Sequence, residues 1–128
     1  MEESPVIIQT VAQVVDIVSD AREPILVECR YDIDDPYAIH MTIYLPDDRF
    51  IPWVFSRELL SDALLEGSAG AADVRLHVTG DTLRMRLSSP DGTAWLYFDV
   101  QAFEEFAEDL PPVPAIVWDD FLKDLMED

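Results

Sequence analysis

Four basic side chains occur at alternate positions in two neighbouring segments of this sequence. Arg75 and His77 lie in the first segment, and Arg84 and Arg86 lie in the second. Successive residues of a β-strand point to opposite sides, so a spacing of two places both members of each pair on one side of a strand. Arginine and histidine on one surface bind anionic groups, and arginine also stacks on aromatic rings. The spacing therefore indicates binding chemistry rather than bond-breaking chemistry.

The residue types that enzymes use for acid–base or nucleophilic catalysis are sparse. The two histidines, His40 and His77, have no serine or cysteine signature around them, and Cys29 is the single cysteine. The sequence has no glycine-rich phosphate loop and no H-E-x-x-H or C-x-x-C motif. The acidic loop at residues 32–36 lacks the glycine and the distal glutamate of an EF-hand, so an Asp-Pro turn explains it better than a cation site. We expect no enzyme activity, no cofactor and no bound metal.

The charge of the whole chain limits its partners. Of 128 residues, 27 are acidic and 8 are lysine or arginine, which gives a formal net charge of −19. Affinity for nucleic acids and for anionic membranes depends on lysine and arginine, so this charge disfavours both. No apolar run approaches the roughly 18 residues that a membrane span needs, and the N-terminus lacks the basic start of a secretory signal. We therefore expect a cytoplasmic protein without membrane insertion.

The chain is long enough for one folded domain, because typical domains contain about 100–150 residues and 49% of the residues are hydrophobic. Apolar alternation predicts strands over residues 25–31, 37–45, 50–55, 73–79, 82–88 and 93–98. Segment 7–18 also fits helical spacing, but its many β-branched residues favour a strand. Ser56 and Asp99 are suited to cap two helices. The sequence thus predicts a single α+β domain over 1–110, ordered strands, helix, strands, helix, followed by a proline-containing linker and an acidic helix over 111–128.

A short sequence similarity between the two halves of the chain favours an internal duplication. Residues 53–55 (W-V-F) and 95–97 (W-L-Y) each end a predicted strand that runs into a capped helix. Because a tryptophan two residues before another aromatic residue is common on strands, this similarity alone does not establish an internal repeat.

A two-residue hairpin turn at Gly80-Asp81 places the two cationic segments opposite each other, and the next turn adds a third strand. In this register six side chains share one side of the sheet: Arg75, His77, Arg84, Arg86, Trp95 and Tyr97. Facing cations repel each other, so this surface needs carboxylates or aromatic rings nearby. An acidic helix of the same chain or of a second subunit is the simpler occupant. The functional alternative is an acidic or aromatic segment of a partner protein; the net charge disfavours a single-stranded nucleic acid, although such ligands use similar surfaces.

Four ordered motifs within about residues 25–106 resemble the SsgA-like protein family of sporulating actinomycetes. They are Y-D-I-D-D-P-Y-A, W-V-F-S-R-E-L-L, D-V-R and L-S-S-P-D-G. The motif residues to which we assign a structural role are Tyr31, Asp32, Asp35, Pro36, Tyr37, Trp53, Phe55, Arg57, Ser88, Ser89, Pro90 and Gly92. Two stretches depart from the family pattern. Residues 76–78 replace a Trp-Pro pair, and the acidic run 106–109 replaces Phe-Leu-x-Arg-Thr, so the subgroup stays open.

The resemblance implies a non-enzymatic role in sporulation-specific cell division. One member of that family marks septum sites and recruits the tubulin-like protein FtsZ with help from another, so FtsZ and a second SsgA-like protein are the expected partners at the septum. The fold that the resemblance implies is whirly-like, with antiparallel sheets forming a barrel-like core, helices packed alongside and three copies in a homotrimer. Whirly relatives elsewhere bind single-stranded nucleic acid, which is the alternative function.

Overall fold

The computed structural model describes residues 5–16, 18–71 and 73–112, so the predicted C-terminal helix lies outside the described residues. The elements follow the predicted order of strands, helix, strands and helix. The first half consists of β1 (Val6–Val15), β2 (Arg22–Tyr31), β3 (Ala38–Tyr44), β4 (Phe50–Ser56) and α1 (Arg57–Glu66). The second half consists of β5 (Ser68–Ala71), β6 (Val74–Thr79), β7 (Thr82–Ser89), β8 (Gly92–Asp99) and α2 (Val100–Asp109).

All eight strands form a single antiparallel sheet in the order β4-β3-β2-β1-β8-β7-β6-β5. Each half of the chain is therefore a four-stranded meander followed by a helix, and the two meanders join where β1 meets β8. At this junction residues 13–15 pair with residues 95–97, a shorter ladder than the one between β1 and β2. The sheet curls into a half-barrel. The predicted barrel-like core thus consists of one sheet and not of several.

Local sequence agrees with sheet position in two strands and disagrees in a third. β1 is a strand, as its β-branched residues predict. β4 lies at the end of the sheet, where Pro52, which has no N–H to donate, is tolerated. β5, with the sequence Ser-Ala-Gly-Ala, was not predicted because small residues have low strand propensity. Its pairing with β6 and the hydrogen bond from Val78 N to Gly67 O at 2.8 Å hold this segment in the sheet.

Capping contacts fix the start of both helices and the end of α1. Ser56 Oγ accepts a hydrogen bond from Leu59 N at 3.0 Å, and Asp99 Oδ1 accepts one from Gln101 N at 3.0 Å. Gly67 adopts a φ of 92°, a left-handed conformation that glycine tolerates and that ends α1. Each helix therefore begins directly at the end of the strand before it.

The hydrophobic core lies between the two helices and one face of the sheet, which we call the inner face. Phe98 of β8 meets Phe103 of α2 edge to face, with 4.9 Å between the ring centres, and Phe106 is fully buried. α1 packs on β4, β5 and β6, whereas α2 packs on β1 and β8. Because both helices lie on the inner face, neither covers the opposite face, which we call the outer face.

The two tryptophans do not occupy equivalent positions in the two structurally similar halves. Trp53 pairs with Met41 on the inner face, whereas Trp95 pairs with Arg86 on the outer face. Counting back from the two N-caps, Trp53 corresponds to Leu96. An alignment of the two halves on their N-caps therefore differs by one residue from an alignment on the two tryptophans. A shift of one residue along a strand moves every side chain to the opposite face.

Ser56→Ala should lower the free energy of unfolding by about 1 kcal/mol, because alanine cannot accept the Leu59 N–H. Urea unfolding followed by circular dichroism measures this as a lower midpoint with an unchanged slope. Ser61→Ala, in the middle of the same helix, is the matched control and should keep or slightly raise the stability, since alanine has the higher helix propensity. Equal losses in both variants would contradict the capping role of Ser56.

Candidate functional site

The structure brings the six predicted binding side chains together on the outer face of β6, β7 and β8. The cross-strand pairs are His77–Arg84, Arg75–Arg86, Arg86–Trp95 and Arg84–Tyr97. The pairs between β6 and β7 have the register that the turn at Gly80-Asp81 predicts, and the pairs between β7 and β8 have the register that the next turn predicts. We call these six residues the arginine face.

The ring of Tyr97 contacts two guanidinium groups. Arg84 lies 4.9 Å from the centre of this ring, and Arg22, at the start of β2, lies 5.1 Å from it. An exposed contact of this kind contributes about 0.5–1 kcal/mol. The aromatic ring therefore offsets part of the repulsion between the facing cations.

The arginines of this face have no carboxylate partner within the described residues. The ion pairs among the described residues are Arg22–Asp20, Arg30–Asp32, His40–Asp35 and Arg49–Asp47, and none of them involves an arginine of this face. Arg84 and Arg86 are half-buried, and the Nε atom of each is buried without a hydrogen-bond partner. A buried donor that stays unpaired costs about 1–3 kcal/mol. The arginine face therefore favours a ligand that brings acceptor oxygens.

A shallow cavity of about 270 Å³ opens on the arginine face, between its side chains and residues 68–70 of β5. The side chain of Arg75 lies against Gly70, where an added Cβ would stand 2.9 Å from Arg75 Cγ. Glycine at this position therefore allows Arg75 to lie along the edge of the cavity. Ligand pockets usually measure about 300–1,000 Å³, so this cavity suits a single side chain rather than a cofactor.

The side chains considered for catalysis lie apart from each other. His40 Nε2 donates to Asp35 Oδ2 at 2.8 Å, and both side chains are exposed. Cys29 is fully buried, and this burial, with a smaller effect from Glu28, raises the pKa of its thiol to about 12. No three His, Cys, Asp or Glu side chains of the described residues cluster closely enough to hold a metal ion. At neutral pH, Cys29 is thus a protonated core side chain.

The first two family-like motifs meet at the start of α1. Arg57 Nη1 donates to Tyr31 Oη at 3.1 Å, and the guanidinium of Arg57 lies 5.0 Å from the centre of the Tyr31 ring. Arg57 N also donates to Tyr37 O at 2.8 Å. Because Tyr31 is buried in the core, these contacts hold the loop between β2 and β3 against the helix.

Other motif residues shape turns. Asp32 Oδ1 accepts a hydrogen bond from Asp34 N at 3.1 Å, within the loop that was considered as a cation site. Ser89 Oγ accepts one from Asp91 N at 3.2 Å, and Gly92 follows with a φ of 147°, which a side chain rarely permits. The observed contacts of these residues are structural.

Trp53 lies between two cavities that connect β4 with the second half of the chain. The first, of about 280 Å³, also reaches Asp73 and Val74. The second, of about 590 Å³, reaches Ser89 and Gly92. Residues from the second, third and fourth motifs, which are far apart in the sequence, therefore converge around one side chain.

A row of exposed apolar side chains, which the sequence pattern did not predict, crosses the other half of the outer face. Val11, Leu26, Tyr44 and Phe50 are direct cross-strand neighbours on β1 to β4, with exposed fractions of 56, 42, 37 and 65%. We call these four residues the apolar row. The signal was available, since each lies in the outward phase of its strand. Contiguous apolar patches mark interaction sites, unlike scattered single residues.

The sequence matches a family model described as Streptomyces sporulation and cell division protein, SsgA, over residues 25–113. The sporulation-specific cell division protein SsgB of Streptomyces coelicolor is 37% identical over 93 residues, which cover 69% of this chain and 66% of that protein. SsgB of Kineococcus radiotolerans is 39% identical over 98 residues, which cover 70% and 58%. The match thus spans 66% of the length of the first relative and 58% of the length of the second, which is less than two thirds of each.

Two solved structures have a similar fold. One, associated with SsgB mutations that correlate to longitudinal cell division during sporulation of Streptomyces coelicolor, has a TM-score of 0.73 and 31% identity over 82% of each chain. The other is an SsgA-like sporulation-specific cell division protein from Thermobifida fusca YX-ER1, with a TM-score of 0.75 and 24% identity. This match covers 98% of this chain and 96% of that chain.

Cys29 should not react with a thiol reagent such as DTNB in the native protein at pH 8, because the thiolate is the reactive form and burial raises the pKa of this thiol to about 12. Absorbance at the wavelength of the released thiolate follows the reaction. Urea supplies the control, since unfolding should release one reactive equivalent. Rapid native labelling would show that the thiol is accessible and that its pKa is not raised.

Proposed function

Because this chain belongs to the SsgA family of sporulation and cell division proteins, we propose that it is a non-enzymatic scaffold that marks septum sites and recruits division proteins such as FtsZ. The curated homologues are SsgB proteins of sporulation-specific cell division. The observation that supports this proposal most directly is that neither of the described helices covers the outer face of the sheet. A surface that binds without catalysing is what a scaffold requires.

The two halves of the outer face have different roles in this proposal. The arginine face binds an acidic or aromatic segment of a division protein, since its half-buried guanidinium groups have no carboxylate partners among the described residues. Charge-assisted hydrogen bonds from arginine to a carboxylate are about twice as strong as neutral ones. Recruitment by this face therefore selects partners by charge.

The apolar row supports self-association. Leu26 and Phe50 lie on the same row of cross-strand neighbours, and a second copy would remove their exposed side chains from water. Burial of a side chain of this size contributes about 1.5–3 kcal/mol. We assign to this row the interface of a homotrimer, and to the double four-stranded meander with its two helices the whirly-like type of fold.

Placement at the septum follows from partner binding in this proposal. No helix of the described residues is long and apolar enough to cross a membrane. In this proposal, another SsgA-like protein helps the scaffold to reach the septum, and the scaffold brings FtsZ to that position.

Sedimentation velocity at several concentrations tests the trimer. The unmodified chain should sediment as a trimer at the higher concentrations, and Leu26→Ser/Phe50→Ser should shift it to the monomer. Leu65→Ser, a change at an exposed leucine of α1, is the matched control and should leave the trimer intact. A strict monomer at every concentration would contradict the assembly.

Fluorescence anisotropy with labelled FtsZ tests recruitment. Arg75→Gln/Arg86→Gln should weaken binding at least about tenfold, which corresponds to about 1.4 kcal/mol, because two of the three arginines that line the cavity are lost. Arg30→Gln/Arg49→Gln removes the same charge outside the arginine face and should have a much smaller effect. A labelled single-stranded oligonucleotide serves as the competing ligand. Binding to the oligonucleotide, with no binding to FtsZ at low or moderate salt, would favour the nucleic-acid alternative.

A further inference from the structure

The arginine face is a cationic surface on a chain whose net charge is −19, and its arginines form no ion pair within the described residues. We propose that the C-terminal segment of the same chain, residues 113–128, docks on the arginine face. We call this segment the acidic tail. The proposal concerns contacts within one chain, so it does not depend on the proposed role in cell division.

Charge complementarity favours this occupant. The acidic tail contains five acidic residues and one lysine, whereas the arginine face contributes three arginines. The carboxylates of the tail are Asp119, Asp120, Asp124, Glu127 and Asp128. The rest of the chain is strongly acidic and repels such a segment, so the arginine face is the surface of the described domain to which its charge directs it.

The shape of the guanidinium groups adds a geometric requirement to the general attraction. Arg84 Nε and Arg86 Nε are withdrawn from water and have no acceptor. A carboxylate at the mouth of the cavity supplies acceptor oxygens to the guanidinium groups, and the arginine fork binds a carboxylate in a defined geometry. The carboxylate pairs with the charge of the guanidinium groups, whereas the enclosed Nε atoms stay without an acceptor.

The apolar residues of the acidic tail also suit this surface. Trp118 and Phe121 are aromatic, and Leu122 and Leu125 are also apolar. The arginine face offers Trp95 and a cavity of about 270 Å³, and guanidinium groups attract aromatic rings. A segment with both carboxylates and aromatic side chains therefore satisfies both kinds of group on the face.

The length of the acidic tail is sufficient for this contact. The tail follows Pro112, three residues after the end of α2, and has 16 residues. An extended segment of this length spans up to roughly 50 Å, whereas a domain of about a hundred residues has a radius of gyration of about 13 Å. The tail can therefore pass from the inner face, where α2 packs, to the outer face.

Covalent attachment favours the tail of the same chain over an acidic segment of another molecule. A tethered segment has an effective concentration in the millimolar range when its linker is short. A partner with a similar acidic segment must then displace the tail before it binds. The tail is thus a competitor for the surface on which the arginines lie.

A nitroxide label on the acidic tail tests the contact in the full-length chain. Met126→Cys introduces the label without removing a carboxylate, and native Cys29 is buried and does not react. In the ¹⁵N-labelled chain at low salt, the indole N–H signal of Trp95 should be lost, while the amide signal of His40, in the other half of the sheet, should remain. Reduction of the nitroxide should restore the Trp95 signal. Salt at 1 M, where the Debye length is about 3 Å, should also restore most of it.

Matched variants show which groups carry the contact. Arg75→Gln/Arg86→Gln should restore the Trp95 signal, whereas Arg30→Gln/Arg49→Gln, with the same change in charge, should not. Because Arg86 is half-buried and its replacement can disturb the fold, a second variant changes the tail alone. Asp119→Asn/Asp120→Asn/Asp124→Asn should also restore the signal and leaves residues 1–112 unchanged.

Three results would overturn the proposal. The first is a full Trp95 signal in the labelled chain at low salt. The second is a loss of that signal that persists in both the arginine and the tail variants. The third comes from mixing ¹⁵N-labelled chains that carry no nitroxide with nitroxide-labelled chains at natural isotope abundance. Loss of the Trp95 signal in that mixture would assign the face to the tail of a second copy. FtsZ is absent from these samples, so the outcome is separate from that of the recruitment experiment.

Discussion

The architecture depends on one constraint, which is that both helices of the described domain bury their apolar sides on the same face of a single sheet. Phe103 and Phe106 of α2, like Leu60 of α1, are fully buried there. Every strand must therefore direct its apolar phase inward and its alternate residues outward. Neither described helix covers the outer face, and the composition of this face differs between its two halves. Both surfaces to which binding is assigned in the proposed function lie on this outer face.

The charges of the chain are arranged according to the same constraint. Exposed cations in loops and at strand ends, such as Arg30 and Arg49, have acidic neighbours within two residues. Cations in the middle of β6 and β7 face other cations, because alternation and the two-residue turn place them there. Stacking of Arg84 on Tyr97 reduces the repulsion but does not satisfy the guanidinium hydrogen bonds. A surface of this kind is stabilised by a ligand more than by its own neighbours.

Much of the fold was predictable from local rules. Turn chemistry at Gly80 fixed the register of β6 and β7, and the caps at Ser56 and Asp99 fixed where the helices begin. The arginine face was predictable for the same reason, since it needs no long-range information beyond two turns. β5 was not predictable, because its Ser-Ala-Gly-Ala sequence becomes a strand through pairing with β6. The apolar row was missed because its members lie on four strands, and their alignment depends on three separate registers.

The family-like motifs lie in a different part of the molecule from most of the residues to which we assign binding. The contacts of Tyr31 with Arg57, and the position of Trp53 between two cavities, join separate segments and maintain the curled sheet. Most of the arginine face lies outside these motifs, and the family match ends at residue 113, where the acidic tail begins. A common scaffold can therefore keep its fold while its outer face and its tail change together. Because a change in the charge of one alters the affinity of the other, the two are expected to differ as a pair between related proteins that bind different partners.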